Sequence, residues 1–354
     1  MTRRELLLLP SACSLLGPTP GGSEPQNLSF PLENIPGAIT PPDLFFVRDH
    51  FREPELSLRT WRLKIEGCVK QPLALSLSDI LESPTKEIEA LLECAGNPGG
   101  GSAASNAVWE GVPLAHLLDR AGAAPEATGV VLEGADTGRL MQDSPELPYC
   151  QIVPVERCVR AESLVAFKAN GRFLRRRNGF PARALFPGWY GMDSVKWLRR
   201  IVVLGPADQA PNFQLSGMNK LYNGMVKTPA GELKITRVTE IQVRSAIAWP
   251  ADNARLPAGK YIIRGFAWTG DGLVRRVSLS SDGGRAWMPA QLETQPKPFT
   301  WVRWKYLWCA APGEHVLMSR ASDDRGREQP LVRDSARKDV YELNFCAPVR
   351  CSVR

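Results

Sequence analysis

Apolar and polar positions change period along the chain, and each change marks an element. In "WRLKIEGCV" (61–69) Trp61, Leu63 and Ile65 alternate with Arg62, Lys64 and Glu66, the period of a strand with one buried face. "SLSDILESPTKEIEALLECAGN" (76–97) opens on a polar cap at Ser76 or Ser78, which predicts a short helix; an apolar run then predicts a strand into Cys94. In "GVPLAHLLDRAGAAP" (111–125) Pro113 belongs in the first turn of a helix, Leu114, Leu117, Leu118 and Ala121 share one face, and Gly122 ends it. "GVVLEGADTG" (129–138) and "VKWLRRIVVLG" (195–205) read as strands, and "ESLVAFKANGRFL" (162–174) as a hairpin with Asn170-Gly171 at its tip. Gly17 to Pro42, rich in Pro, Gly and Ser, reads as a linker or extended arm.

After about Thr236 the pattern shifts to closely spaced strands with glycine-rich turns. "GKYIIRGFAWTGDGLVRRVSLSSDGGRAW" (259–287) reads as three strands joined at Gly270-Asp271-Gly272 and Asp282-Gly283-Gly284. In "WVRWKYLWCA" (301–310) Val302, Trp304, Tyr306 and Trp308 fall on one face and Arg303 and Lys305 on the other. This stretch of about 110 residues predicts a β-sandwich of immunoglobulin type. The whole is an α+β chain, a mixed first domain followed by an all-β second one, which suits 354 residues.

Composition narrows the function classes. The chain carries a net charge of +7, yet its cations are dispersed rather than laid in a stripe with exposed aromatics, so no nucleic-acid partner is expected. The exception is "RFLRRRNG", with Arg172, Arg175, Arg176 and Arg177, read either as a solvated loop or as a positive funnel for a small anion. The eight cysteines form no CxxC pair and no CxxCH, which argues against zinc, thioredoxin-like chemistry and c-type haem. Cys346 and Cys351 are close enough to pair in an oxidising compartment, and nothing in the sequence decides it. Arg3-Arg4 before a short apolar run resembles a twin-arginine export signal over residues 1–22, which implies the periplasm, or the cytoplasm if the segment is not a signal. Pro10 interrupts that run, no later segment is long and apolar enough, and no transmembrane span is expected.

Cys94 stands alone between an apolar run and "AGNPGGG" (95–101). It reads as a core cysteine, as a thiolate ligand to a soft metal that brings most of its own shell, or as a nucleophile. His50, His116 and His315 are the only histidines, and they show no triad spacing.

"FFVRDH" (45–50), "ECAGN" (93–97), "NAVWEGVPL" (106–114), "EGAD" (133–136) and "NGFPARALFPGWYGMDSVKWLRRIVV" (178–203) together resemble the sulfite oxidase family of molybdopterin enzymes. The resemblance implies a molybdenum-cofactor domain over 23–235, an immunoglobulin-like dimerisation domain over 236–354, and a homodimer. It implies Cys94 as the molybdenum ligand beside the two sulfurs of a pterin dithiolene. Phe46, Val47, Arg48, Asp49 and His50 would touch the cofactor, with Arg48 holding a substrate oxyanion through paired hydrogen bonds. Asp136, Asn178, Arg183, Ser194, Val195 and Lys196 would hold the pterin and its phosphate. Tyr222, in "FQLSGMNKLYNGM" (213–225), would be the active-site tyrosine.

The sequence also departs from that pattern. Gly99 stands where animal and plant members carry an arginine, Asn178 stands where the family's usual histidine precedes "GFP", and the loop between Cys94 and Trp109 is short. Fewer cations weaken the hold on a desolvated oxyanion. No haem domain like that of the animal enzyme is expected in this chain, so electrons would leave to an external acceptor such as a cytochrome. The resulting expectation is oxygen-atom transfer to sulfite or a related small oxyanion. The alternatives are a reductase of the same fold acting on a sulfoxide, nitrate or another oxo-compound, and a non-catalytic dimeric binding module.

Overall fold

A computed structural model describes residues 24–208, 221–227, 232–337 and 339–354; the export-signal reading of 1–22 lies outside them. Two sheets build the first unit. One runs in the order Leu73–Leu75, Leu63–Gly67, Leu198–Leu204, Gly129–Gly138, Leu147–Pro154, and is antiparallel except where Leu198–Leu204 runs parallel to Leu63–Gly67. The other places Lys86–Glu93, Ala104–Pro113, Leu164–Ala169 and Arg172–Phe173 side by side, with Arg183–Leu185 also on Leu164–Ala169. The predicted alternations decide what these sheets bury. Leu63 and Ile65 have no exposed surface and meet Val112, Val165 and Phe167 of the second sheet in one core.

The two predicted helices close that core. Ser76 caps Leu77–Leu81 through a capping box with Asp79. Helix Leu114–Ala121 buries Leu114, Leu117, Leu118 and Ala121, with Pro113 as its N-cap rather than inside its first turn. Gly122 ends it at φ 66°, the left-handed conformation that glycine adopts without strain. The hairpin tip Asn170-Gly171 lies at φ 53° and 72°, both left-handed, as a tight two-residue turn requires.

Two further sheets form the second unit, a four-stranded one centred on Gly259–Trp268 and Val302–Ala310, and a five-stranded one centred on Gly313–Asp323 and Val274–Ser280. Val302, Trp304 and Trp308 are buried in the core they share, with Tyr306 half-buried on the same face. The third strand read at the end of 259–287 shrinks to Met288–Pro289. Cys346 and Cys351 are separate buried thiols, and no disulfide occurs among the described residues. No helix among those residues is long and apolar enough to cross a membrane.

A third core joins the units: Leu91, Ala95, Tyr190 and Met192 pack against Ile241, Ala246, Phe266 and Trp268. Leu32 and Ile35 belong to it, so residues 24–42 are a docked arm rather than a free linker. Their apolar side chains, set among turn-forming residues, anchor the segment that Pro and Gly leave without regular structure.

Leu117→Ala should cost about 2–5 kcal/mol by cavity formation, whereas Asp119→Ala on the exposed face of the same helix should stay within about 0.5 kcal/mol. Urea denaturation of the two variants checks this.

Candidate active site

Strand Lys86–Glu93 delivers Cys94 to a cavity of about 380 Å³, a size suited to a small-molecule or cofactor site. The chain then closes a loop. Asn97 N donates to Cys94 O at 2.9 Å, Gly101 N to Pro98 O at 2.9 Å, and Cys94 N to Ala103 O at 3.0 Å. Asn97 completes it from its side chain, its Oδ1 accepting from Ala103 N and its Nδ2 donating to Glu93 Oε1, each at 2.9 Å. Gly101 is at φ +77°, and a Cβ there would lie 3.0–3.1 Å from Leu32, Ala246 and Trp268, so both backbone and packing require glycine. The Cys94 thiol is half-buried, outside any disulfide, and lines the cavity.

Every residue nominated by the resemblance lines this same cavity: Phe46, Val47, Arg48, Asp49 and His50 from one edge, Cys94 from a second, and Asp136, Asn178, Arg183, Ser194, Val195, Lys196 and Tyr222 around the rest. Their bonding divides them. Lys196 Nζ pairs with Asp49 Oδ1, donates to Arg177 O at 3.1 Å and lies 4.1 Å from the Trp197 ring centre. Burial pulls the Lys196 ammonium below its ordinary pKa, and Asp49 opposes that pull. Arg183 donates from Nη1 to Asn178 O at 3.0 Å and from Nη2 to Ser194 O at 2.8 Å, tying two wall segments together; burial pushes its pKa down to about 10. Ser194 turns its hydroxyl into the scaffold, where Oγ accepts from Phe186 N at 3.1 Å.

Among the described residues three polar groups stay open. Asp136 is 4% exposed, its Oδ1 has no partner, and burial pushes its pKa up to about 7. Gly134 makes room for it, since a Cβ there would stand 2.4 Å from that oxygen. Arg48 is exposed, on a two-residue strand paired with Asn27–Leu28, and its guanidinium has no partner among the described residues. Arg177 also faces the cavity, with a buried and unpartnered Nε. The basic run therefore splits: Arg175 pairs with Asp43, Arg176 pairs with Glu53 at 3.2 Å, Arg172 is exposed outside this cavity, and only Arg177 is left to meet an anion in it.

Tyr222 Oη lies 3.4 Å from Tyr149 Oη, which donates to Met192 O at 3.0 Å, and the Tyr222 ring centre is 5.8 Å from that of Tyr341. Burial raises both Tyr149 and Tyr222 above the ordinary phenol range, and the nearby Cys94 adds to the rise at Tyr222. Sequence reasoning missed Tyr149, Trp197 and Tyr341. No pattern signals them, because each is an isolated aromatic brought in by tertiary packing. Of the histidines, only His50 reaches the cavity.

A lone thiol suits a soft metal, an unpartnered buried carboxylate oxygen suits the N–H donors of a heterocycle, and Lys196 with Arg177 suits a phosphate, so the residues fit a metal-bearing pterin. Comparison with known proteins gives the same answer. The family model described as "Oxidoreductase molybdopterin binding domain" matches residues 50–212, and the one described as "Mo-co oxidoreductase dimerisation domain" matches 236–340. Sulfite oxidase of Gallus gallus is 32% identical over 319 residues, covering 82% of this chain and 68% of that protein. A nitrate reductase (NADH) of Cichorium intybus is 30% identical over 338 residues, covering 85% of this chain and 35% of that protein. The crystal structure of the sulfane dehydrogenase SoxCD from Paracoccus pantotrophus superposes with a TM-score of 0.79 at 31% identity, over 95% of this chain and 86% of that one. The chain spans 57% of the mitochondrial sulfite oxidase of Rattus norvegicus.

Fold and cavity thus define a molybdenum-cofactor oxidoreductase, an enzyme whose cofactor is Mo-molybdopterin. The chain belongs to the sulfite oxidase family and carries that family's dimerisation domain.

Because the folded-state pKa of Asp136 is raised, its favourable contribution is complete below the unfolded carboxylate range and is lost as pH rises through about 7. In the cofactor-free chain, Asp136→Asn should therefore stabilise by about 4 kcal/mol at about pH 8, with the gain shrinking toward about pH 4. Equal gains at both pH values, read from urea midpoints, would refute this environment for Asp136.

Proposed function

We propose that the protein oxidises sulfite or a related small sulfur oxyanion and passes the electrons to an external acceptor such as a cytochrome. The observation that carries this reading is the Arg48 guanidinium, open in the cavity that also holds Cys94 and without a partner among the described residues. In net terms the sulfur gains one oxygen atom from water, and two electrons and two protons leave. When bound, Mo-molybdopterin supplies the oxygen-atom and electron-pair chemistry. Cys94 holds the metal through its thiolate. Asp136 accepts from pterin N–H groups, and Lys196 and Arg177 face the phosphate. Arg183 and Asn178 shape that end, while Phe46, Val47, Asp49, His50, Ser194 and Val195 form the walls. Arg48 orients the oxyanion by a planar pair of donors. Tyr222, its phenol kept protonated by burial, donates a hydrogen bond toward the reacting end. The similarity to proteins named sulfite oxidase and sulfane dehydrogenase supports a sulfur substrate.

The same reading includes a homodimer formed through an immunoglobulin-like unit over 236–354, a cofactor unit over 23–235, and a twin-arginine signal over 1–22 that sends the loaded enzyme to the periplasm. The matched dimerisation model and the Arg3-Arg4 run support these points. A second reading, reduction of nitrate, a sulfoxide or another oxo-compound, is favoured by the similarity to a nitrate reductase. Assays with sulfite and ferricyanide, against those with a reduced viologen and each oxo-compound, separate the two directions.

Arg48→Met should raise KM for sulfite by about 10- to 100-fold, the worth of a charge-assisted hydrogen-bonded contact, while molybdenum content stays near that of the unaltered enzyme. Parallel loss of metal and activity would show instead that Arg48 serves the cofactor.

A further inference from the structure

The loop that carries Cys94 is closed by a few hydrogen bonds of its own, centred on Asn97, but its sequence is mostly glycine. Residues 96–101 include Gly96, Gly99, Gly100 and Gly101, which restrain the backbone least of all residues. The second unit adds the remaining hold on it. Arg244, 1% exposed, donates from Nη1 to Glu93 Oε1 at 2.9 Å and to Asn97 O at 3.3 Å, and from Nη2 to Pro98 O. Trp268 donates from Nε1 to the other Glu93 oxygen, Oε2, at 2.8 Å, and its ring packs against Gly101. One guanidinium thus grips the residue before Cys94 and the turn after it.

We propose that Arg244 is a positioning residue for the molybdenum ligand: reaching from the dimerisation unit, it sets the shape of the Cys94 loop and thereby the direction of the thiolate. The proposal rests on the reading of Cys94 as that ligand. A planar fork is needed to reach one carboxylate oxygen and two carbonyls at once, and an ammonium cannot reproduce that geometry. Arg244 was invisible to sequence reasoning, being a single charge in the apolar strand Arg244–Trp249.

The test is alkylation of the full chain made without cofactor, read cysteine by cysteine by peptide mass spectrometry. Exposed Cys309 reports reagent activity, and buried Cys158 and Cys351 report global opening. Arg244→Lys keeps a cation opposite Glu93 but loses the fork. It should raise the Cys94 rate about fivefold, the effect of about 1 kcal/mol on loop opening, while Cys158 and Cys351 stay protected. Arg244→Gln should raise it further; should that variant fail to fold, Arg244→Lys carries the test. An unchanged Cys94 rate, or a rise matched at Cys158 and Cys351, would overturn the proposal and leave Arg244 as a structural contact between units. A control on the unaltered holoenzyme tests the reading beneath it: Cys94 should be protected when molybdenum is bound. Alkylation there as fast as in the cofactor-free chain would remove the ligand assignment, and the proposal with it.

Discussion

A buried carboxylate facing a buried guanidinium, Glu93 opposite Arg244, is the constraint on which the site depends. Each ion alone would be costly in that environment. Together, with Asn97, Trp268 and the carbonyls of Asn97 and Pro98 satisfying further donors and acceptors, they form a fixed point beneath a loop of glycines. Removing either partner strands the other charge, at a cost of about 3–5 kcal/mol. The pair also shows how the second unit, which adds Tyr341 to the cavity wall, contributes to the order of the loop around Cys94. The contact between units is a working part of the site as well as a hydrophobic seam.

Around that point the cavity sorts its charges by use. Lys196 is held by Asp49, and Arg183 is committed to two backbone carbonyls, so each shapes a wall while contributing positive potential. Among the described residues Arg48 and Arg177 are left open, as is one oxygen of Asp136. A site prepared for a permanent tenant with both N–H donors and a phosphate, and for a transient oxyanion, needs this division. The desolvation of the open groups is offset when a ligand arrives.

Much of this was legible in the sequence, for physical reasons. Period-two patterns placed Leu63–Gly67 and Val302–Ala310, because one face of each strand is buried and the other is not. The Pro113 and Gly122 bracket placed helix Leu114–Ala121, because the ends of a helix have chemistry of their own. Candidate residues close to distinctive motifs, from Phe46 to His50 and from Ser194 to Lys196, were nominated through resemblance, and the fold gathers them in one cavity. What remained hidden was long-range. Arg244 lies 151 residues from Glu93, and Tyr149 lies 73 from Tyr222, separations at which no local pattern survives. The basic run at 172–177 could not be divided by sequence either, because its neutralising partners Asp43 and Glu53 come from a distant segment.

Molybdenum K-edge X-ray absorption on the purified holoenzyme and on Cys94→Ser tests the central claim most directly. The variant's metal should have one sulfur neighbour fewer than that of the unaltered enzyme. An identical sulfur count in both would contradict it, because the thiolate of Cys94 would then be no ligand.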